Sequence, residues 1–480
     1  MKMNKLFLCE GLSRRGFLTG LGAFGLLGRK AFAAPHGALS NGEPNLRFAL
    51  MSDVHISMKI KDGKWHNDAT KFIHALKWFR DKKIDAVVIA GDLANYGMIE
   101  ELEVMAAAWE KVFPGGKTPD GRKVEKVFVT GNHDWEGPIY SGGFSKQLYP
   151  DPIVRKEKEF YVNRAKAWEK LFGEKYEPIY SKTVRGYTFI GQHWDPKAWK
   201  GCGFFGLVKK FTEERAAELS GARPFFYVQH PPLKATCNGP KAWGQDVGIA
   251  TKALSKFSNA VAFSGHTHYT LTDETSIWQD AFTAVNASSL WYTGKPNLFQ
   301  PVSPKTKMHN TTQGALVEVY DDRIVIVRRQ FMPDETLAED WVVPLPVKEN
   351  KPYKLSNRLG KSPSPQFPLG SAVSAVLAGG ALKMKFPQAL GEPNARVFKY
   401  EVTVESEGAE TTSHEFMDPR FNKAPSQKDA EESVQLMVRA KSLPPGEKYR
   451  VSVTPCDSLG NKGKAISSEW ILRKKKISKS

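Results

Sequence analysis

Cysteine is scarce in this chain: four in 480 residues, at positions 9, 202, 237 and 456. None has zinc-finger spacing, and so sparse a set excludes a disulfide framework as what holds the fold. Long apolar runs are missing as well. The most continuous one, residues 16–28, is 13 residues long and broken by glycines, whereas a spanning helix needs about 20. No transmembrane helix is expected in the mature chain. Acidic charge is in deficit, with 51 Asp and Glu facing 69 Lys and Arg for a net +18. Residues 1–33 supply six basic side chains against Glu10 alone, which leaves the remainder at about +13. That excess favours anionic ligands. It is spread along the chain rather than interleaved with aromatics in one stripe, which argues against a dedicated nucleic-acid-binding surface. No repeat or low-complexity tract is present. The rest is ordinary globular composition, 41% hydrophobic and 25% charged, long enough for about three units of roughly 150 residues. Disorder as the whole story is excluded.

The amino terminus has a basic start, the block Ser13-Arg14-Arg15-Gly16-Phe17-Leu18, a Gly/Leu/Phe stretch and the small-residue site Ala31-Phe32-Ala33. It resembles a twin-arginine signal peptide over residues 1–33. The resemblance implies export of the folded chain by the twin-arginine machinery to the periplasm or the extracellular space, with any metal loaded beforehand in the cytoplasm. Cys9 leaves with the signal. Cys202 and Cys237 lie in Gly-containing loops, where they either pair or remain thiols.

From residue 46 onward, short β-branched and aromatic runs alternate with helical patterns. Residues 46–52, 85–90 and 126–130 read as buried strands, each ending in a polar turn that contains Gly or His. Between them, 67–83 repeats apolar residues at Phe72, Ile73, Leu76 and Phe79 behind an Asn67/Asp68 cap, and Ile99, Leu102, Met105 and Trp109 keep helical spacing. Further strands are expected at 187–190, 224–229, 260–264, 282–285, 315–319 and 323–328; the later ones lack intervening helices, so a mixed sheet is expected. Composition shifts to Pro, Lys, Ser and Asn over 344–368, which places a linker at 346–370. Beyond it, strand-like runs at 381–386, 397–404, 434–440 and 449–454 have the spacing of a β-sandwich. The stretch Leu443-Pro444-Pro445-Gly446-Glu447-Lys448-Tyr449, followed by Val451 and Val453, resembles the Tyr-corner strand of a fibronectin type III domain, here 371–475.

Five short blocks fall at the ends of expected strands: Asp53-Val54-His55, Gly91-Asp92, Gly131-Asn132-His133-Asp134, His230-Pro231 and Gly265-His266-Thr267-His268. In an open α/β sheet, residues just past strand carboxyl ends share one crevice, so distant blocks can meet. Two Asp carboxylates, one Asn carbonyl and four imidazoles offer hard or borderline donors and no thiolate, a set suited to divalent Mn, Fe or Zn. The spacing in Asp53-x-His55 and His266-x-His268 aims both heads at one site if the backbone turns there. Glycines 91, 131 and 265 allow close backbone approach.

With all five blocks in order, residues 53–268 resemble the calcineurin-like metallophosphoesterase superfamily, whose pattern is D-x-H, G-D, G-N-H-[DE], H and G-H-x-H. The resemblance implies a two-sheet α/β/β/α metallophosphoesterase sandwich over 46–345, followed by the linker and the all-β sandwich. It implies two divalent metal ions: Asp53, His55 and His268 hold the first, Asn132, His230 and His266 the second, and Asp92 bridges. It also implies in-line attack on a phosphate-ester substrate by a metal-bridging hydroxide, with His133, not itself a ligand, stabilising or protonating the leaving group. His193, in Gly191-Gln192-His193-Trp194, competes with His230 for its place; if it were the ligand, His230 would stand behind it. Histidines 36, 66, 74, 309 and 414 read as ordinary. Asn95, Tyr96, Trp135 and Trp194 line the substrate pocket or simply pack.

The loop Gly91-Asp92-Leu93-Ala94-Asn95-Tyr96-Gly97 resembles the bacterial cyclic-nucleotide and glycerophosphodiester phosphodiesterase branch. Purple acid phosphatases place a metal-binding Tyr where Asn95 stands, and protein phosphatases continue Gly-Asp with Asp-Arg-Gly. A phosphodiesterase is therefore favoured over a phosphomonoesterase. A reading of another class is a non-catalytic surface-binding protein that uses its carboxy-terminal sandwich, through which a cell-surface or carbohydrate contact is expected.

Overall fold

The computed structural model describes residues 42–472 except 62–63, 136–143, 196–205, 295–310, 348–350, 362, 392–395, 409–410, 419, 424–425 and 427–432. The expected signal peptide at 1–33, with Cys9, and also Cys202, His36 and His309 lie outside the described residues.

Strand β1 (Leu46–Met51) is buried apart from Arg47. Its side chains alternate between two apolar layers, Phe48 and Leu50 in one and Ala49 and Met51 in the other, which is how a strand covered on both faces reads. A hairpin of β2 (Ser57–Lys61) and β3 (Lys64–Asp68) follows. Then come helix α1 (Thr70–Asp81), β4 (Ala86–Ala90), helix α2 (Ile99–Val112) and β5 (Glu125–Val129). The helix expected over 67–83 thus starts three residues later, because Asn67 pairs with Met58 in the hairpin. The N-cap position is Ala69 rather than the expected Asn67 or Asp68, without a side-chain cap; Asp68, one residue before it, accepts the Thr70 N–H on Oδ1 at 3.0 Å.

A second sheet collects β6 (Ile179–Val184), β7 (Tyr187–Gln192), β8 (Phe225–Val228), β9 (Ala260–Ser264), β10 (Ile277–Gln279) and β11 (Thr283–Asn286) in the order β10-β11-β9-β8-β7-β6. The chain then returns to the first sheet with β12 (Gln313–Val319), β13 (Arg323–Phe331), β14 (Asp334–Thr336) and β15 (Trp341–Pro344), giving the order β14-β13-β12-β1-β4-β5 with β15 also on β13. Strands β1, β4 and β5 are parallel, as are β7, β8, β9 and β11, while the returning strands are antiparallel. Both sheets are mixed.

Phe48 of the first sheet meets Phe189, Phe226 and Phe263 of the second at ring-centroid distances of 5.2, 5.0 and 5.7 Å. Each such fully buried ring stabilises by about 1.5–3 kcal/mol. The opposite face of the first sheet packs on α1, α2 and the helix Phe160–Phe172 through Phe72, Leu76, Met105, Trp109 and Trp168. Phe225 and Tyr227 on the outer face of the second pack against the helices Leu207–Glu214 and Ile249–Leu254. The result is an α/β/β/α sandwich.

The carboxy-terminal part is all β. Strands β16 (Ser374–Ala378), β17 (Ala381–Pro387) and β20 (Ser433–Arg439) form one sheet; β18 (Val397–Ser406), β19 (Thr412–Met417), β21 (Lys448–Asp457), β22 (Ile466–Ser467) and β23 (Ile471–Leu472) form the other. Leu382, Met384, Leu436 and Val438 interleave with Tyr400, Val402, Val451 and Val453 in its core. Between the two parts, Tyr353 exchanges hydrogen bonds with Gln279 at 3.0 and 3.3 Å, so this stretch of the 346–370 segment is docked on the α/β part.

One carboxylate ties these layers. Glu274, 5% exposed, accepts from Arg328 at 2.6 Å, Arg358 at 2.7 Å and the Trp341 indole at 3.1 Å. Removing it strands the buried Arg328 charge, a situation that costs about 3–5 kcal/mol. Glu274→Ala is expected to lower the unfolding free energy by that amount in urea titrations; a change under about 0.5 kcal/mol would contradict the assignment.

Candidate metal centre

Five parallel strands end at one edge of the sandwich, and each is followed by one block of polar residues. Asp53 and His55 follow β1, Asp92 follows β4, Asn132 to Asp134 follow β5, His230 follows β8, and His266 and His268 follow β9. The backbone there is bent into the left-handed region: φ is 51° at Asp53, 48° at His55, 51° at Asp92, 68° at His266 and 53° at His268. That conformation is disfavoured for residues with a Cβ by about 1–2 kcal/mol each, least so for Asp, Asn and His. It turns both members of the D-x-H and H-x-H pairs inward. Cross-links hold the loops in place: Asp53 N–H donates to Gly91 O and His55 N–H to Asp92 O, both at 3.0 Å, and Gly265 N–H to His230 O at 2.8 Å. At Gly131 a Cβ would come within 2.2 Å of Asp92 Oδ1 and 2.5 Å of Asp92 N, so only glycine lets the two loops approach.

Two donor groups result, Asp53, His55, Asp92 and His268 in one and Asp92, His230 and His266 in the other; within each, candidate donor atoms lie within 4.8 Å of one another. Asp92 belongs to both. Each Asp has one oxygen fixed by the backbone and one turned inward. Asp53 Oδ2 accepts the His266 N–H at 2.9 Å while its Oδ1 lies 2.9 Å from His268 Nε2. Asp92 Oδ1 accepts the His133 N–H at 2.8 Å while its Oδ2 lies 3.2 Å from His230 Nε2 and 3.6 Å from His55 Nε2. Asn132 adjoins the second group, its Oδ1 2.9 Å from His230 Nε2.

The imidazoles are oriented from behind. Nδ1–H of His55 donates to Asn95 Oδ1 at 3.1 Å, that of His230 to Ala90 O at 2.7 Å and that of His268 to Tyr292 O at 3.0 Å. Each bond turns the opposite nitrogen, Nε2, toward the cluster, the tautomer a metal ligand needs. His133 is held the same way, Nδ1–H donating to Asn95 O at 2.8 Å, with its ring 4.7 Å from that of His55. Asp53 Oδ1 and His55 Nε2 are buried and make no hydrogen bond among the described residues. Leaving such groups unsatisfied costs about 1–3 kcal/mol each, and a coordinated cation removes that penalty. An all-oxygen-and-nitrogen donor set with these two inward-facing atoms fits a pair of divalent ions.

Electrostatics agree with that fit. Burial opposes ionisation of Asp53 and Asp92, yet His268 beside the first and His230 and His133 beside the second hold both carboxyls well below their usual range. Burial pushes His55 down to about 4 and, with the charge of His230, His266 down to about 3. His230 goes the other way. Burial works against its charge, but Asp92 and Asp53 push it up to about 9.

His193 joins neither group. It is stacked 4.3 Å over Tyr176, and its Nδ1 accepts the Thr130 N–H at 3.1 Å, which makes it a buried brace for the end of β5. Trp135 packs under the Arg164 guanidinium at 4.9 Å, Trp194 is buried 6.3 Å from the His266 ring, and Tyr96 is half-buried. His74 is exposed on α1. Cys237 and Cys456 are buried thiols. Sequence reasoning placed Asn95 near the motifs without its two histidine partners. It missed Asp134, whose carboxylate gathers the N–H groups of Gly131, Ala94 and Leu93 at 2.7, 2.8 and 3.2 Å. It also missed Trp291 and Tyr292, whose rings lie 4.3 Å from His55 and 4.2 Å from His268. Asp134 was visible as the last letter of its block; the two aromatics carried no signal.

Residues 46–270 match the calcineurin-like phosphoesterase family, so this segment is a calcineurin-like metallophosphoesterase domain, a class of metal-dependent phosphoester hydrolases. No curated protein matches the chain. Among solved structures it is similar to GAP50, the anchor in the inner membrane complex of Plasmodium (14% identity, 64% of this chain and 90% of that one, TM-score 0.38). It is similar also to a dimetal phosphatase from Danio rerio (12%, 63% and 100%, 0.34) and to the purple acid phosphatase PPD1 from yellow lupin, Lupinus luteus (13%, 62% and 54%, 0.38).

A group raised from 6.5 to about 9 on folding stabilises the fold fully below pH 6.5 and loses that contribution as pH rises through 9. Chelator-treated protein is therefore expected to drop in Tm across this window. With manganese bound, His230 would be a neutral donor and the slope is expected to disappear; equal slopes with and without metal would contradict the arrangement.

Proposed function

We propose that this chain is an exported dinuclear-metal phosphoesterase that prefers phosphodiesters. The observation that carries the reading is the membership of Asp92 in both donor groups. Asp53, His55 and His268 would hold one cation, Asn132, His230 and His266 the other, and Asp92 both. Two divalent ions bound there supply Lewis acidity and lower the pKa of water, so that a nucleophile exists near neutral pH.

The chain's own residues do the rest. Asp92, anchored through Oδ1, keeps Oδ2 between the two groups. Asn95 fixes the rings of His55 and His133 together. With Nδ1–H of His133 committed to Asn95 O, the proton it can give to a leaving oxygen is the one on Nε2, beside the first donor group. The diester preference is supported by Asn95 standing where a purple phosphatase would place a metal-binding Tyr. Export rests on the twin-arginine resemblance of residues 1–33; among the described residues no helix is long and apolar enough to cross a membrane. A fibronectin type III-like reading of the carboxy-terminal sandwich is supported by the Tyr449 hydroxyl donating to Gly446 O at 2.8 Å, and attachment to a cell surface or carbohydrate through it belongs to the same proposal.

The test is hydrolysis of bis(p-nitrophenyl) phosphate and p-nitrophenyl phosphate with added manganese. Wild type is expected to turn over the diester faster. His133→Ala should lose about 10²–10⁴-fold in kcat, and Asp92→Asn should lose turnover together with its metal dependence. Wild-type rates no higher than those of the variants would overturn the enzyme reading, and faster monoester turnover would overturn the diester preference.

A further inference from the structure

The segment between β8 and the helix Ile249–Leu254 carries an aromatic residue that the site chemistry leaves unused. Trp243 lies over the His266 ring, centroids 4.8 Å apart and planes only 16° apart, yet it is 52% exposed. With one face of the indole on the imidazole, the exposed remainder is the opposite face and its edge. The indole thus offers a flat π-face to a planar group at the edge of the donor cluster, in a position fixed by its stack on His266.

The surrounding loop holds the indole there. Asp246, 4% exposed, accepts the N–H groups of Lys234 and Gly248 at 2.8 and 2.9 Å and the Gln229 amide at 3.2 Å, next to His230 in sequence. Gln245 donates to Gly239 O at 2.7 Å. Gly244, φ +78°, would put a Cβ 2.6 Å from His266 Cδ2, so a glycine is what lets this loop lie against the histidine.

We infer that Trp243 is a stacking platform that selects phosphate esters carrying a planar aromatic group, such as a nucleobase or an aryl ring. This rests on the dimetal reading: the phosphoryl group sits at the donor cluster and the organic group extends across its rim on the His266 side. Stacking of a ring on an exposed indole is sequence- and substituent-tolerant, because it needs only a π-face, and its loss on truncation is about fivefold or more in affinity.

The test is calorimetric binding of three non-hydrolysable phosphonates to the full chain loaded with manganese. Wild type is expected to bind phenylphosphonate at least about fivefold more tightly than methylphosphonate. Trp243→Ala should erase that ratio while leaving the methylphosphonate Kd unchanged, and Trp243→Phe should keep most of it. The inference is overturned if Trp243→Ala keeps the ratio, if it weakens both ligands alike, or if cyclohexylphosphonate binds wild type as well as phenylphosphonate does. Absence of any manganese-dependent methylphosphonate binding in wild type would bring down the dimetal reading itself, and this inference with it.

Discussion

The carboxylate of Asp92 is the constraint on which the site depends. Its two oxygens are divided between duties: Oδ1 is tied to the His133 N–H, and Oδ2 faces His230 from the second sheet and His55 from the first. A single side chain can do this only where the carboxyl edges of two sheets converge. The edge-to-face phenylalanines between the sheets, Phe48 against Phe189, Phe226 and Phe263, set that convergence. The core therefore contributes to chemistry as well as to stability, since a shift of one sheet against the other would separate the two donor groups.

The site carries strain and charge that the surroundings offset. Five of its residues have left-handed backbone conformations, the kind of local cost that persists where neighbouring structure over-determines it. Here the over-determination is visible as hydrogen bonds between the loops and as the Asp134 carboxylate collecting three N–H groups. Two ionised carboxylates with His55 and His266 held neutral leave an arrangement built to accept cations, and His230 balances part of that charge when no cation is there. Asn95 links the donor cluster to His133, the histidine proposed for leaving-group chemistry, so geometry at one is transmitted to the other.

Much of this was legible in the amino-acid order. Hydrophobic runs bounded by Gly and His located most strands of the α/β part, because a strand buried on both faces has little freedom of composition. The five polar blocks named the residues that the fold brings together. Other features were hidden for physical reasons. The β2–β3 hairpin carries only a brief apolar alternation, Met58 and Ile60 in β2, with no matching period in β3, and it absorbed Asn67 from the expected helix. β22 and β23 are two residues each, too short to show a period. His193 and His230 follow similar strands, and it takes the stack on Tyr176 and the bond from Thr130 N–H to separate a brace from a cluster member. Trp243 and Trp291 reach the site from loops far along the chain, where neither periodicity nor motif indicates which way a ring will face.

Electron paramagnetic resonance of the manganese-loaded protein addresses the shared carboxylate most directly. An exchange-coupled pair of ions is expected in wild type, reduced to an uncoupled signal in Asp92→Asn. A spectrum of isolated manganese in wild type, or coupling that survives the loss of Asp92, would contradict that expectation.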